Sequence, residues 1–317
     1  TGFDWLKTMN DAAKDNDIYI QYCSALPRMM LQSLELEQVT QIRVSSDYLP
    51  GFSDPNFDNE NQWDISFSGF VASSLGLHPY KDTFWSTEYQ DGYPLTGNNN
   101  VPVGTTPREP WPLKQLLMAL FSTGPVSPGD KIGHENTKLL NMSIRADGLL
   151  LKPDVALSKT DYDLMNSDYA WFNKNPAGTI LTTYSNITIK NQTFEYQAPF
   201  GIVVSINQTE DFRVESVDRL MPGLSQLDVR ANNKKVDLKS YLIENTTNHE
   251  ISLDNQNFNE QLILESHTFA GNDPNRDQTL RLYAVSPRFW LQNETNTSNQ
   301  ALLSLFGEKD KLVPMSN

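Results

Sequence analysis

The stretch QIRVSSDY, at residues 41–48, reads as a buried strand that ends in a charged and hydroxyl-rich tip. The β-branched residues Ile42 and Val44 are typical of such a strand. Asp47 follows the strand, and Arg43 lies four residues before this carboxylate. Because α/β barrels keep their chemistry at the C-terminal ends of their strands, Asp47 is a candidate catalytic carboxylate, although this stretch alone fits a structural role better. The plainer alternative is a structural Arg–Asp ion pair that ties the loop to the strand end.

Strands and helices alternate four times through residues 1–157. Apolar runs predict strands at 18–23, 39–44, 75–80 and 124–127, and helical periodicity predicts helices at 4–15, 27–34, 63–75, 113–122 and 134–142. This alternation predicts a parallel sheet with right-handed crossovers. Since a barrel of this kind closes with eight strands, we expect the second half of a (β/α)8 TIM barrel, with the first half missing from this chain. The aperiodic run at 89–112 is expected to form a rim or lid.

The pattern changes over residues 158–317. Alternation with period two occurs at 179–184, 187–189, 194–196 and 201–206, and further strands are predicted at 227–230, 237–242, 261–269 and 279–286. Asn and Gly turns separate the first runs. We therefore expect an antiparallel β-sandwich as a second domain.

A series of motifs occurs in a fixed order through residues 5–155. These are IYIQYC at 18–23, the QIRVSSDY strand, LGLHPYKDTFW at 75–85, FSTGPVSPGDKIG at 121–133 and ADGLLLKPD at 146–154. The order resembles the second half of the catalytic barrel in α-galactosidases and raffinose synthases, glycoside hydrolase clan D, of the family 36 type. That group has a Gln-Cys-Met-Ser strand, an Arg-Ala-Ser-Asp-Asp-Phe strand and a Gly-Pro-Val segment that ends in an Asp-Lys-Pro-Gly turn. A β-sandwich is its usual C-terminal partner.

The resemblance implies a retaining glycosidase that hydrolyses or transfers α-linked sugars. Such an enzyme needs two carboxylates about 5–5.5 Å apart. In the clan the nucleophile is an Asp on the fourth barrel strand, and the acid/base is an Asp on the sixth. Asp47 matches the acid/base through its spacing from Arg43, whereas Ser46 stands where the family has another Asp. The nucleophile strand would precede Thr1, so it is expected on a separate N-terminal half of the same precursor.

The resemblance also implies four substrate-binding residues. Asp82 and Trp85 lie at the mouth of the next strand, where the clan has an Asp and aromatic side chains, and Tyr48 is expected to line the same pocket. Packing in the apolar core, without any contact to substrate, is an equally open alternative for Trp85 and for Tyr48. Cys23, the one cysteine of the chain, is expected to form an intermolecular bond or to be a sheltered thiol, and its position at the barrel mouth favours the sheltered thiol. The turn at Asp130–Lys131 is expected to be a structural ion pair.

The composition bears on partners and compartment. With a net charge of −14 and a pI of about 4.7, the chain lacks the basic surface that nucleic acid requires. Its histidines show no metal-ligand spacing and no phosphate-binding Gly loop occurs, so no cofactor is expected. No apolar run reaches the length of a membrane span, and no signal peptide precedes Thr1, which reads as a processed N-terminus.

Glycosylation sequons indicate a secretory route, to the outside of the cell or to the lysosome. They lie at Asn141, Asn186, Asn191, Asn207, Asn245, Asn293 and Asn296. A densely glycosylated second domain would also suit a different function. That alternative is a catalytically inactive relative with a carbohydrate-binding or structural extracellular role, and Ser46 in place of Asp supports it mildly.

Overall fold

The computed structural model describes two compact units, Thr1–Ser158 and Lys159–Asn317. The predicted domain boundary lies between 157 and 158. The described residues are 2–48, 50, 65–90, 109, 111–161, 163, 178–190, 195–206, 212–214, 238–245, 251–257, 262–264, 280–287, 289–292, 298–302 and 313–315. The strand predicted at 227–230 and most of the run predicted as a lid lie outside them.

The first unit alternates helices with short strands. In chain order these are α1 (Gly2–Asp15), β1 (Ile20–Tyr22), α2 (Pro27–Gln32), a 3-10 turn (Ser33–Glu35), β2 (Val39–Arg43), α3 (Ser66–Ser74), β3 (His78–Tyr80), α4 (Pro112–Phe121) and α5 (Thr137–Asn141). The three strands form a parallel sheet in the order β1-β2-β3. The order along the sheet is therefore the order along the chain, which is how successive strands of an α/β barrel are arranged.

A fourth segment continues the parallel arrangement beyond β3. Phe84 forms a parallel bridge with Pro128, in which the Gly129 amide donates to the Phe84 carbonyl at 2.7 Å. Gly124 allows the approach of this segment, because a Cβ added there would lie 2.3 Å from the carbonyl oxygen of Pro79. Whether these four segments belong to a closed barrel stays a prediction.

The apolar core of the first unit lies between the sheet and its helices. The buried side chains of one cluster come from α1, α3, the three strands and their flanks: Leu6, Tyr22, Leu36, Val39, Ile42, Ala72 and Leu77. Every residue of α4 is buried, including Lys114 and Gln115. A helix that is covered all round makes a rigid base for any residue anchored to it.

The second unit is built of antiparallel strands. They are β4 (Ser158–Lys159), β5 (Thr179–Lys190), β6 (Glu195–Ile206), β7 (Phe212–Val214), β8 (Leu238–Asn245), β9 (Ile251–Asn257), β10 (Leu262–Leu264), β11 (Leu280–Pro287), β12 (Phe289–Gln292), β13 (Ser298–Leu302) and β14 (Val313–Met315). The main sheet has the order β4-β5-β6-β11-β8-β9, and smaller sheets join β7 with β10 and β12 with β13 and β14. Each of the pairs β5–β6, β6–β11, β8–β11 and β8–β9 is antiparallel. The sandwich arrangement of these sheets stays a prediction.

Candidate active site

One guanidinium joins the C-terminal ends of three parallel strands. Arg43 is the last residue of β2, and its side chain is 10% exposed. Its Nη2 donates to Asp47 Oδ1 at 2.6 Å and to Ser24 Oγ at 2.9 Å, and its Nη1 lies 3.3 Å from Asp82 Oδ2. Ser24 follows β1, Asp47 follows β2 and Asp82 follows β3. The predicted Arg–Asp pair is therefore the centre of a larger cluster at this edge of the sheet.

The two carboxylates on Arg43 differ in exposure. The Asp47 side chain is 79% exposed, whereas that of Asp82 is 28% exposed. Asp82 Oδ2 also accepts the backbone N–H of Tyr48 at 2.8 Å, and the backbone N–H of Asp82 donates to Ser45 Oγ at 2.8 Å. Asp82 is thus held by the loop after β2, while Asp47 presents its carboxylate to solvent.

A buried acid lies behind the loop, at Glu109. It is 3% exposed, and its Oε2 accepts the Tyr48 hydroxyl at 2.8 Å and Gln115 Nε2 at 3.1 Å. Its Oε1 accepts the backbone N–H of Trp111 at 2.9 Å. Burial raises the pKa of Glu109, and the hydrogen bonds from Trp111, Tyr48 and Gln115, together with the Lys81 charge, oppose that rise. Burial, followed by the charge of Glu109, raises the pKa of Tyr48.

A buried lysine lies against the ring of Tyr48. The side chain of Lys81 is 1% exposed, and its Nζ donates to the carbonyls of Asp82 at 3.0 Å and Thr83 at 3.1 Å. The same Nζ lies 5.2 Å from the centroid of the Tyr48 ring and 5.3 Å from that of Phe84, which is within cation–π range. Burial lowers the pKa of Lys81 to about 8, although the charges of Glu109 and Asp82 favour its protonated form.

The structure brings together four of the residues predicted for the site. Arg43, Asp47 and Asp82 share the guanidinium contacts, and Tyr48 reaches Asp82 through its backbone. Trp85 is only 2% exposed, which favours the core alternative over a sugar-stacking role. Its backbone N–H donates to the Tyr48 hydroxyl at 3.1 Å, so it contributes to holding Tyr48 in place.

The expectation of a sheltered thiol at Cys23 is wrong. The cysteine is free and exposed. The reason is that β1 ends at Tyr22 and the chain then turns at Ser24, whose φ of 52° is uncommon for a residue other than glycine. This turn leaves Cys23 on the surface and directs the Ser24 hydroxyl to Arg43.

The turn at Asp130 is tied to the segment after β3. Asp130 Oδ1 accepts the backbone N–H of Ser86 at 2.8 Å and Gln90 Nε2 at 2.6 Å. The backbone N–H of Lys131 donates to Gln90 Oε1 at 2.7 Å. These hydrogen bonds give Asp130 a structural role. They are different contacts from the Asp130–Lys131 ion pair that the sequence predicts.

Sequence reasoning missed Glu109, Lys81 and Ser24 as members of the cluster. Glu109 belongs to the aperiodic run at 89–112, and its position three residues before an apolar helix is the one local indication. Lys81 precedes Asp82 directly in the stretch 77–85, where an adjacent pair of opposite charges is typical of an exposed turn. Neither pattern shows which partners these residues contact.

Two of the predicted glycosylation sites lie on the surface of the described chain. Asn141 and Asn186 are exposed, as an attached glycan requires. Asn245 is the last residue of β8. The remaining four, Asn191, Asn207, Asn293 and Asn296, lie outside the described residues.

No model of a known protein family matches this sequence, and no curated protein is significantly similar to it. Among the helices that the structure describes, none combines the length and apolar character needed to cross a membrane. Within the same part of the chain, no group of three or more His, Cys, Asp or Glu side chains is arranged to hold a metal ion.

Proposed function

We propose that the chain is part of a retaining α-glycosidase of the α-galactosidase and raffinose-synthase type, which hydrolyses or transfers α-linked sugars. The observation that carries the proposal is the position of Arg43, whose guanidinium joins the ends of β1, β2 and β3 and holds an exposed carboxylate there. The C-terminal edge of a parallel sheet is where α/β barrels bind and convert substrates.

Asp47 is proposed as the general acid and base. It would protonate the leaving oxygen and then activate water, as the second step of retention requires. Arg43 would hold this carboxylate in place through the contact between its Nη2 and Asp47 Oδ1. Asp82 would bind sugar hydroxyls through Oδ1, the oxygen that does not accept the Tyr48 N–H. Tyr48 would line the inner side of the pocket.

The second carboxylate is proposed to come from a partner. Asp82 Oδ2 is already occupied by Arg43 and the Tyr48 amide, which makes it a poor nucleophile. We propose that the nucleophile lies on the N-terminal half of the same precursor, present as a separate chain. In the described part of the first unit, β1 is an edge strand and the adjacent Ile18 and Tyr19 are exposed, which suits pairing with a further strand.

A catalytically inactive, carbohydrate-binding or structural protein is the second candidate. Its supporting observation is that Trp85 is buried and the Tyr48 hydroxyl is bound to Glu109, so these aromatic groups serve the fold. Under either candidate, the sequons and the acidic composition support an extracellular or lysosomal glycoprotein.

The test uses the purified native protein with every chain that remains associated with it. Turnover of a panel of aryl α-glycosides is compared in wild type, Asp47→Asn and Asp147→Asn, and NMR follows the anomeric configuration of the product. Asp147 is the matched control, since it is also an exposed carboxylate paired with an arginine, Arg145.

The enzyme proposal expects retention of configuration and a loss of at least about 100-fold in turnover for Asp47→Asn, with no change for Asp147→Asn. Sugar binding without turnover in the wild type would favour the second candidate. Equal activity of all three proteins would exclude Asp47 as the acid/base.

A further inference from the structure

An unbroken series of contacts runs from a buried acid to the exposed one. Glu109 accepts the Tyr48 hydroxyl at 2.8 Å, and the Tyr48 backbone N–H donates to Asp82 at 2.8 Å. Asp82 lies 3.3 Å from Arg43, which donates to Asp47 at 2.6 Å. Tyr48 also follows Asp47 directly in the chain. The position of Asp47 is therefore linked to Glu109 both through the peptide bond and through the guanidinium.

Glu109 is suited to act as a fixed anchor. It lies three residues before the start of α4 and accepts hydrogen bonds from Trp111 and Gln115 as well as from Tyr48. A carboxylate removed from water is costly unless its oxygens are bound, so the three donors specify its orientation closely. Because α4 is buried along its whole length, the anchor rests on a rigid element.

Tyr48 connects Glu109 to the loop after β2, because Tyr48 is held by contacts at several points. Its hydroxyl donates to Glu109 and accepts the Trp85 N–H, its backbone N–H donates to Asp82, and its ring faces the ammonium group of Lys81. The neighbouring Asp47 is exposed, so packing contributes little to its position. The loop after β2 is thus fixed at Tyr48. Because Asp47 is the preceding residue, its backbone position is fixed as well.

We propose that Glu109 is a positioning residue for Asp47 and acts through Tyr48. The catalytic meaning of this role rests on the proposed function, since it requires Asp47 to be the acid/base. The mechanical part, in which Glu109 orders the loop after β2, does not depend on any activity.

The mechanical part is tested by amide hydrogen exchange in the full chain. Tyr48→Phe removes only the hydroxyl, and Glu109→Gln removes the charge of the anchor. Asp163→Asn is the control, because Asp163 is also a buried carboxylate that accepts a backbone N–H, from Ile180, but lies in the second unit. We expect exchange at residues 43–48 to become about tenfold faster in both site variants and to be unchanged in the control.

The catalytic part is tested by leaving-group dependence, measured in the native protein. Displacement of the acid slows the cleavage of glycosides whose leaving group needs a proton, whereas the dinitrophenolate group leaves without one. Tyr48→Phe should therefore lower kcat/KM, which reports the bond-cleaving step alone, about tenfold or more for alkyl glycosides and leave kcat/KM for dinitrophenyl glycosides nearly unaffected. Equal losses for both substrate classes would indicate general damage to the fold and would overturn the positioning role.

Unchanged exchange at residues 43–48 in Tyr48→Phe and Glu109→Gln would overturn the inference even if both variants lost activity. Faster exchange there, in a wild type that neither binds nor converts sugars, would instead support the mechanical link and reject the proposed function. The two failures can therefore be told apart.

Discussion

Arg43 Nη1 lies 3.3 Å from Asp82 Oδ2, and this contact connects the end of β2 to the residue that follows β3. The same guanidinium holds Ser24 and Asp47 through its other terminal nitrogen. A planar guanidinium can serve several partners at fixed angles, whereas the single ammonium of a lysine cannot. The positions of the loops after β1, β2 and β3 therefore depend on an arginine at residue 43.

Arg43→Lys should reduce the free energy of unfolding by about 1–3 kcal/mol, the range for lost hydrogen bonds to charged groups. Urea denaturation of the wild type and the variant measures this difference. Arg145→Lys is the control, since its partner Asp147 is exposed and surface ion pairs contribute little to stability. Equal effects of the two substitutions would show that the Arg43 contacts do not stabilise the fold.

Gly124→Ala should destabilise the first unit severely. The added Cβ would lie 2.3 Å from the carbonyl oxygen and 2.8 Å from the carbonyl carbon of Pro79, and this backbone cannot move away cheaply. We expect a loss of about 3 kcal/mol or more in the free energy of unfolding, or failure to fold.

Gly69→Ala is the matched control for this substitution. Gly69 lies within α3, and the nearest atoms to its added Cβ are 3.8 Å away. Alanine is the better helix former, so this variant should be as stable as wild type or more stable by about 0.5–1 kcal/mol. Thermal unfolding of both variants decides the point, and similar melting temperatures would contradict the close approach at Gly124.

Lys81 should make stability rise between pH 8 and pH 10. Its pKa is about 8 in the folded protein, where burial lowers it, against an ordinary value of 10.5. Within this window the unfolded chain holds a proton that the folded chain has released, so stability increases with pH, by at most about 1.4 kcal/mol per unit. Lys81→Met should remove this rise.

Urea denaturation at several pH values measures the slope for Lys81, and Lys7→Met is the control. Lys7 is an exposed lysine of α1 paired with Asp11. The slope of the Lys7 variant should match that of the wild type. A Lys81 variant with an unaltered slope would mean that this lysine keeps its proton in the fold.

Cys23 should react with a thiol reagent in the native protein. It is the one cysteine of the sequence, and it is exposed. We expect one equivalent of label per chain without denaturant, at about the rate of the unfolded protein, and no label in Cys23→Ser. Labelling that requires denaturant would show that the thiol is covered in the native protein. The serine variant itself should change stability by less than about 0.5 kcal/mol.

Local patterns located three of the four strands predicted for the first unit, whereas residues 124–127 form no strand and only Pro128 makes a bridge there. The observed β1, β2 and β3 lie within the predicted spans 18–23, 39–44 and 75–80, because runs of apolar and β-branched residues act over a few positions. In the second unit, β5 and β6 are longer than the runs predicted from the sequence. Their pairing along 12 residues overrides the turn residue Asn186 and places it opposite Pro199.

The site could be predicted only in part. The spacing of Arg43 and Asp47 along one strand end is visible in the sequence, and their contact is present. The link from Tyr48 to Glu109 joins distant segments, so no local pattern contains it. Trp85 shows the same limit, because an aromatic residue after a strand suits a sugar site and a core equally well, and only its burial separates the two.

The central claim is that the cluster around Arg43 is the acid/base end of a sugar site. Isothermal titration calorimetry of the native protein, with its associated chains, against α-linked galactosides and glucosides tests this most directly when wild type and Asp47→Asn are compared. We predict that both proteins bind the sugar and that only the wild type also shows heat of turnover. The absence of sugar binding by the wild type would contradict the account.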